Sequence, residues 1–124
     1  MSPTLDDLAA MGEAVLSALP KTLQVHAPEV VLRVEEFPDE KTCRELGLTS
    51  PFNLLGLYRG APLSKRSVLD VPHGPEMIFL YRSPILNACA ESDEDLFSLV
   101  RNVLIHEIGH HFGFSDTDME ALER

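Results

Sequence analysis

Positive charge is what this sequence has least of. Ten Lys and Arg stand against twenty Asp and Glu, a formal charge of -10 over 124 residues. Nucleic-acid affinity depends on clustered cations that follow phosphates, so nucleic acid is excluded as an expected partner. The same field favours a basic peptide over an acidic one, an effect on encounter rather than on chemistry. No apolar run approaches the roughly eighteen residues of a membrane span, so no membrane partner is expected either. The opening MSPTLDDLAAMGEAVLSALP carries acids where a secretory signal needs a basic stretch, and it reads as part of the fold. Cysteine is down to Cys43 and Cys89, far apart and without C-x-x-C spacing. That excludes a disulfide framework and a thiolate zinc site, leaves two small apolar side chains, and points to the reducing cytoplasm. There is no internal repeat or low-complexity tract to suggest an array or a second domain.

What is present is ordinary globular material, 44% hydrophobic and 24% charged. A chain of this length buries well over half the surface it would expose unfolded, so residues 1–124 are expected to form one domain. Leu5, Leu8, Gly12, Val15, Leu16 and Leu19 recur at helical spacing, and Thr4 with Asp7 forms a capping-box pattern before them. This predicts a first helix stopped by Pro20. Val30 to Val34 alternates and is β-branched, which predicts a strand with Val30, Leu32 and Val34 on one face. A short helix is predicted over Asp39 to Leu46, ended by Gly47, and a second strand near Leu54 to Tyr58. Pro62 to Pro75 reads as a surface loop, Met77 to Tyr81 as a third strand, and Ser83 to Cys89 as a short helical turn.

The longest helix is predicted to open at Ser92, with Asp95 three residues on and acids through its first turn. Leu96, Leu99, Val100, Val103, Leu104, Ile108 and Phe112 give it a wide apolar face, and Gly113 suits the left-handed position that ends it. Ser115 and Thr117 suggest caps for a last short helix. The expected class is α+β: a small twisted sheet of three to four strands packed on the N-terminal helix and on this C-terminal one.

The chemistry is concentrated in HEIGHHFGFSD. His106 and His110 lie four residues apart, about 40° in azimuth and one turn in height, so both imidazoles can face one ion. Glu107 lies about 100° round from His106, able to reach a metal-bound water but turned from direct ligation. A catalytic zinc normally takes three protein ligands and leaves the fourth position for water or substrate, so a third is needed. Gly113 lets the backbone reverse and swing Asp116 toward the histidines, although Asp116 also reads as the N-cap of the final helix. Gly109, inside the helix, suits a place where another strand or a bound chain comes close. His111 points about 100° from the ligands, His26 and His73 fall in predicted loops, and Tyr58 and Tyr81 read as packing residues with a wet hydroxyl.

HEIGHHFGFSD, read with LLGLYRGAPLSKR, IFLYRSP and the ALP that closes the first helix, resembles the short bacterial zincin-like metallopeptidases. The likeness covers most of the chain. It implies a compact domain with a small twisted sheet over the active-site helix and zinc held by His106, His110 and Asp116. The motif also resembles that of the metzincins, which share the Gly and place a third ligand where Asp116 stands. Those enzymes continue into a subdomain with a methionine turn, whereas Met119 follows too soon for that part. The lower wall of the cleft is therefore expected to be missing or supplied by another subunit, as in a homo-oligomer.

The expected function is peptide hydrolysis by a zinc-activated water with Glu107 as general base. A peptide or protein substrate is expected to add as a strand along a sheet edge, perceived as the one containing Met77 to Tyr81. The competing expectation is a non-catalytic metal-binding or peptide-binding module on the same scaffold.

Overall fold

The structure is a computed structural model that describes residues 2–21, 30–60 and 76–111. Helix α1 spans Leu5–Ser17 and begins with the predicted capping box. Thr4 Oγ1 accepts from the Asp7 N–H at 3.0 Å, and Asp7 Oδ2 accepts from the Thr4 N–H at 2.8 Å. The helix closes at Ser17, before Pro20 is reached, with the Ala18 N–H turned back to the Val15 carbonyl. Strand β1 is Val31–Glu35, and α2 is Glu40–Glu45, capped by Asp39 and left through Gly47 at φ 64°.

A 3-10 turn at Pro51–Asn53 precedes β2, Gly56–Arg59. The turn forms because Pro51 fixes a helical φ and Ser50 caps the Phe52 N–H, and the strand after it starts two residues later than the expected Leu54. Strand β3, Met77–Tyr81, falls where expected, and α3, Arg82–Glu91, follows without a break. Ten residues of helix replace the short turn expected there, since Pro84 sits in the first turn, where a missing N–H costs nothing.

Helix α4 is Leu96–His111. It starts later than predicted, and the cap is Asp95 rather than Ser92: Asp95 Oδ1 accepts from the Ser98 N–H at 3.1 Å and Oδ2 from the Ser98 hydroxyl at 2.6 Å. Ser92 Oγ instead accepts from the Glu94 N–H at 3.3 Å in the preceding turn. The acids 93–95 therefore stand ahead of the helix, not inside its first turn. The loop predicted over Pro62 to Pro75, Phe112, Gly113 and the last short helix lie outside the described residues.

Among the described residues the sheet has three strands in the order β1-β3-β2. β3 pairs parallel with β1 and antiparallel with β2. This corrects the expectation of an open edge at Met77 to Tyr81: β3 is the central strand, with a ladder on either side. α1 lies against β1, α4 against β2, and the two helices touch each other. The registers bring Leu32 and Val34 beside Ile78 and Leu80, with Gly56 and Tyr58 next in line on the same face. Onto this face pack Leu8, Val15, Val100, Leu104, Ile105 and Ile108, all buried. Ile105 is a core residue that the predicted apolar stripe of α4 omitted. On the other face Phe79 and Tyr81 stack at 6.2 Å. Tyr81 is 2% exposed, not wet as expected, and burial pushes its hydroxyl up to about 12. The architecture is α+β, two helices on one face of a small mixed sheet.

Candidate metal centre

The middle of α4 is anchored by its apolar side: Val100, Leu104, Ile105 and Ile108 have no exposed surface. The opposite margin of the same turns carries Asn102, Val103, His106, Glu107 and His110 into a cleft of about 280 Å³, whose other wall is Leu54, Leu55 and Gly56 at the start of β2. Two elements distant in sequence thus make one site. What lets them approach is Gly56, where a Cβ would stand 2.6 Å from Val103 Cγ1 and 3.0 Å from the Phe79 carbonyl oxygen. A close approach of strand to helix was expected at Gly109; Gly109 is buried, and the approach that the described residues display is made by the strand's own glycine.

His106 and His110 face the cleft together, their ring centroids 6.3 Å apart and the planes at 75°. His106 Nδ1 lies 2.8 Å from the Asn102 carbonyl oxygen, one turn back along the helix. A carbonyl only accepts, so Nδ1 carries the proton and Nε2 is the ring nitrogen with the lone pair. This is the arrangement by which a second partner fixes the tautomer and aim of a metal-binding imidazole. Two imidazoles on one ion would have centroids about 5 Å apart, and the rings of His106 and His110 stand somewhat wider than that at 6.3 Å. Two imidazoles lining one cleft fit a zinc-type ion in kind.

Glu107 is half-buried between the histidines' turn and the strand wall. Burial pushes its carboxyl above the usual carboxylate range, and the neighbouring His110 and His106 act in the opposite sense. A carboxylate so placed holds a proton more readily than one in water.

Among the described residues no three His, Cys, Asp or Glu side chains converge on one point. The expected third ligand, Asp116, lies outside them. The family profile of zincin-like metallopeptidases matches residues 27–124, which takes in β1, β3, the whole cleft and HEIGHHFGFSD. The chain belongs to this family. No curated protein matches it.

For a zincin-like domain the motif was the legible part of the site. Asn102 was not singled out, and Leu54, Leu55 and Gly56 entered only as the head of LLGLYRG in the family resemblance, with no role in the site. Asn102 could have been, since it stands four residues before His106 on the same face of the helix. The role of the three wall residues had no local mark, because it is set by which strand covers the helix.

Proposed function

We propose that this chain, as a single domain, is a zinc-dependent peptidase, with His106, His110 and Asp116 as ligands and Glu107 as general base. The observation that carries the reading is His106 held by the Asn102 carbonyl, with His110 and Glu107 beside it in one cleft. Bound zinc supplies a Lewis acid and lowers the pKa of a water to about 7. Glu107 then takes a proton from the attacking water at a carboxylate oxygen and returns it to the leaving amine. His106 cannot turn during this exchange because its Nδ1–H is engaged. Leu54, Leu55 and Val103 give the cleft apolar walls beside the reacting atoms.

The substrate class is an extended peptide, and its docking strand is β2, not β3. β2 borders the described sheet beside the cleft. The Tyr81 N–H bonds to the Leu55 carbonyl at 3.0 Å, and Leu57 stands opposite Phe79. Alternate residues of an antiparallel pair bond inward, which turns the N–H and C=O of Gly56 outward for a peptide to meet. The charge of -10 favours basic peptides. The free Cys43 and Cys89 support a reducing, cytoplasmic setting.

The test is zinc-loaded protein on an unfolded polypeptide, with metal content measured alongside. Glu107→Gln is expected to keep its zinc and cleave at least about 100-fold more slowly, the usual worth of a positioned base. Equal cleavage by the variant, or wild-type protein that takes up no zinc, overturns the proposal.

A further inference from the structure

A peptide lying along β2 has a second side to satisfy. In an extended chain the N–H and C=O of one residue point to the strand it pairs with, and those of the next point away. With α4 as the opposite wall, the outward N–H loses water and needs an acceptor. Leu54, Leu55 and Val103 offer none from their side chains. His106, His110 and Glu107 are engaged with metal and proton. Asn102 remains.

The Asn102 side chain is half-buried, and its Nδ2 donates to Glu94 Oε1 at 2.6 Å. An ionised carboxylate only accepts, so the amide cannot be turned over: Nδ2 faces Glu94 and Oδ1 faces the other way. No donor among the described residues reaches that Oδ1. The Asn102 backbone carbonyl meanwhile holds His106 at 2.8 Å, so amide and imidazole keep a fixed relation. Glu94 immobilises the amide before any ligand arrives, which removes an ordering cost from binding.

We propose that Asn102 Oδ1 accepts a backbone N–H of the bound peptide, and that Glu94 is the residue that positions it. The inference rests on the peptidase reading and adds a specificity rule. The peptide nitrogen at this position must carry a hydrogen, so proline or an N-methyl residue there is rejected.

The experiment measures affinities on zinc-loaded protein rather than turnover. The probes are acetohydroxamate and short peptide hydroxamates with the hydroxamate at either terminus, each compared with analogues N-methylated at one peptide nitrogen at a time. In wild-type protein, methylating one particular nitrogen is expected to weaken binding about tenfold, the worth of one hydrogen bond left unmade. In Asn102→Leu the analogue methylated at that nitrogen binds like its unmethylated parent, any nitrogen paired with β2 stays sensitive, and acetohydroxamate binds as in wild type. Glu94→Gln, whose carbonyl still accepts from Nδ2, retains the discrimination, and Glu94→Leu loses it. Unchanged discrimination in Asn102→Leu, or no sensitive nitrogen in wild type, overturns the assignment while leaving the metal site standing. Loss of acetohydroxamate binding in Asn102→Leu overturns it too, by making Asn102 a support of His106 only. If acetohydroxamate fails to bind even wild type, the metal reading falls, and this proposal with it.

Discussion

Gly56 does for the strand wall what a small residue must do wherever a backbone crosses a helix closely. A methyl added there meets Val103 Cγ1 at 2.6 Å, which cannot stand, and the Phe79 carbonyl at 3.0 Å, which belongs to the central strand and cannot easily yield. Gly56→Ala is therefore expected to destabilise by about 1–3 kcal/mol, the usual cost of overpacking. Denaturant unfolding measures it. Adding Val103→Ala removes the first of the two contacts, so the double variant should lose less than the sum of the singles. Additive losses would show that Gly56 and Val103 do not press on each other. Neither residue could be read from sequence in this role. The spacing of His106, Glu107 and His110 is a property of one helix and is visible in any printed sequence. The meeting of Gly56 with Val103, and of Asn102 with the covered side of a ligand, exists only after β2 has been laid over α4.

At the scale of elements, apolar periodicity located α1, β1 and α4, while α2 was marked by its closing glycine and β3 by an apolar run after a turn-rich stretch. It misplaced boundaries where two caps compete. Ser92 and Asp95 both precede the apolar stripe of α4, and the carboxylate prevails by accepting from both the N–H and the hydroxyl of Ser98. The hydroxyl and then the N–H of Ser98 hold the Asp95 carboxyl below its usual range, and the Thr42 N–H does the same for Asp39 at the start of α2. A carboxyl depressed in the folded state adds stability above its unfolded pKa of about 3.9, and that stability is lost as pH falls through the lower folded value. Thermal melts across this range test the assignment. Asp95→Ala is expected to lower the melting temperature at pH 7 clearly more than Ser92→Ala. Asp95→Asn keeps a capping oxygen but cannot titrate, so it should stay near wild type at pH 7 and melt with a shallower decline below about pH 4. A larger effect of Ser92→Ala would return the helix start to Ser92.

Taken whole, the molecule separates what holds it together from what it uses. The core draws Leu8 and Val15 from α1, Leu19 from just past its end, Ile78 and Leu80 from β3, Ile85 from α3, and Val100, Leu104, Ile105 and Ile108 from α4. None of these is a donor to a metal, and no described helix is long and apolar enough to cross a membrane. His106 and His110 hang from the outer margin of a helix whose inner face is already committed to the sheet. Small zinc modules that fold only around their ion have no such core. Chelation is therefore expected to leave far-ultraviolet circular dichroism nearly unchanged and unfolding cooperative, while zinc at a hundred times its dissociation constant adds about 2.7 kcal/mol by mass action. The increment should vanish in His106→Ala and, with Asp116 as the proposed third ligand, in Asp116→Ala as well. Collapse of the helical signal on chelation would mean that the ion is part of the fold itself, and the division between scaffold and site would have to be abandoned.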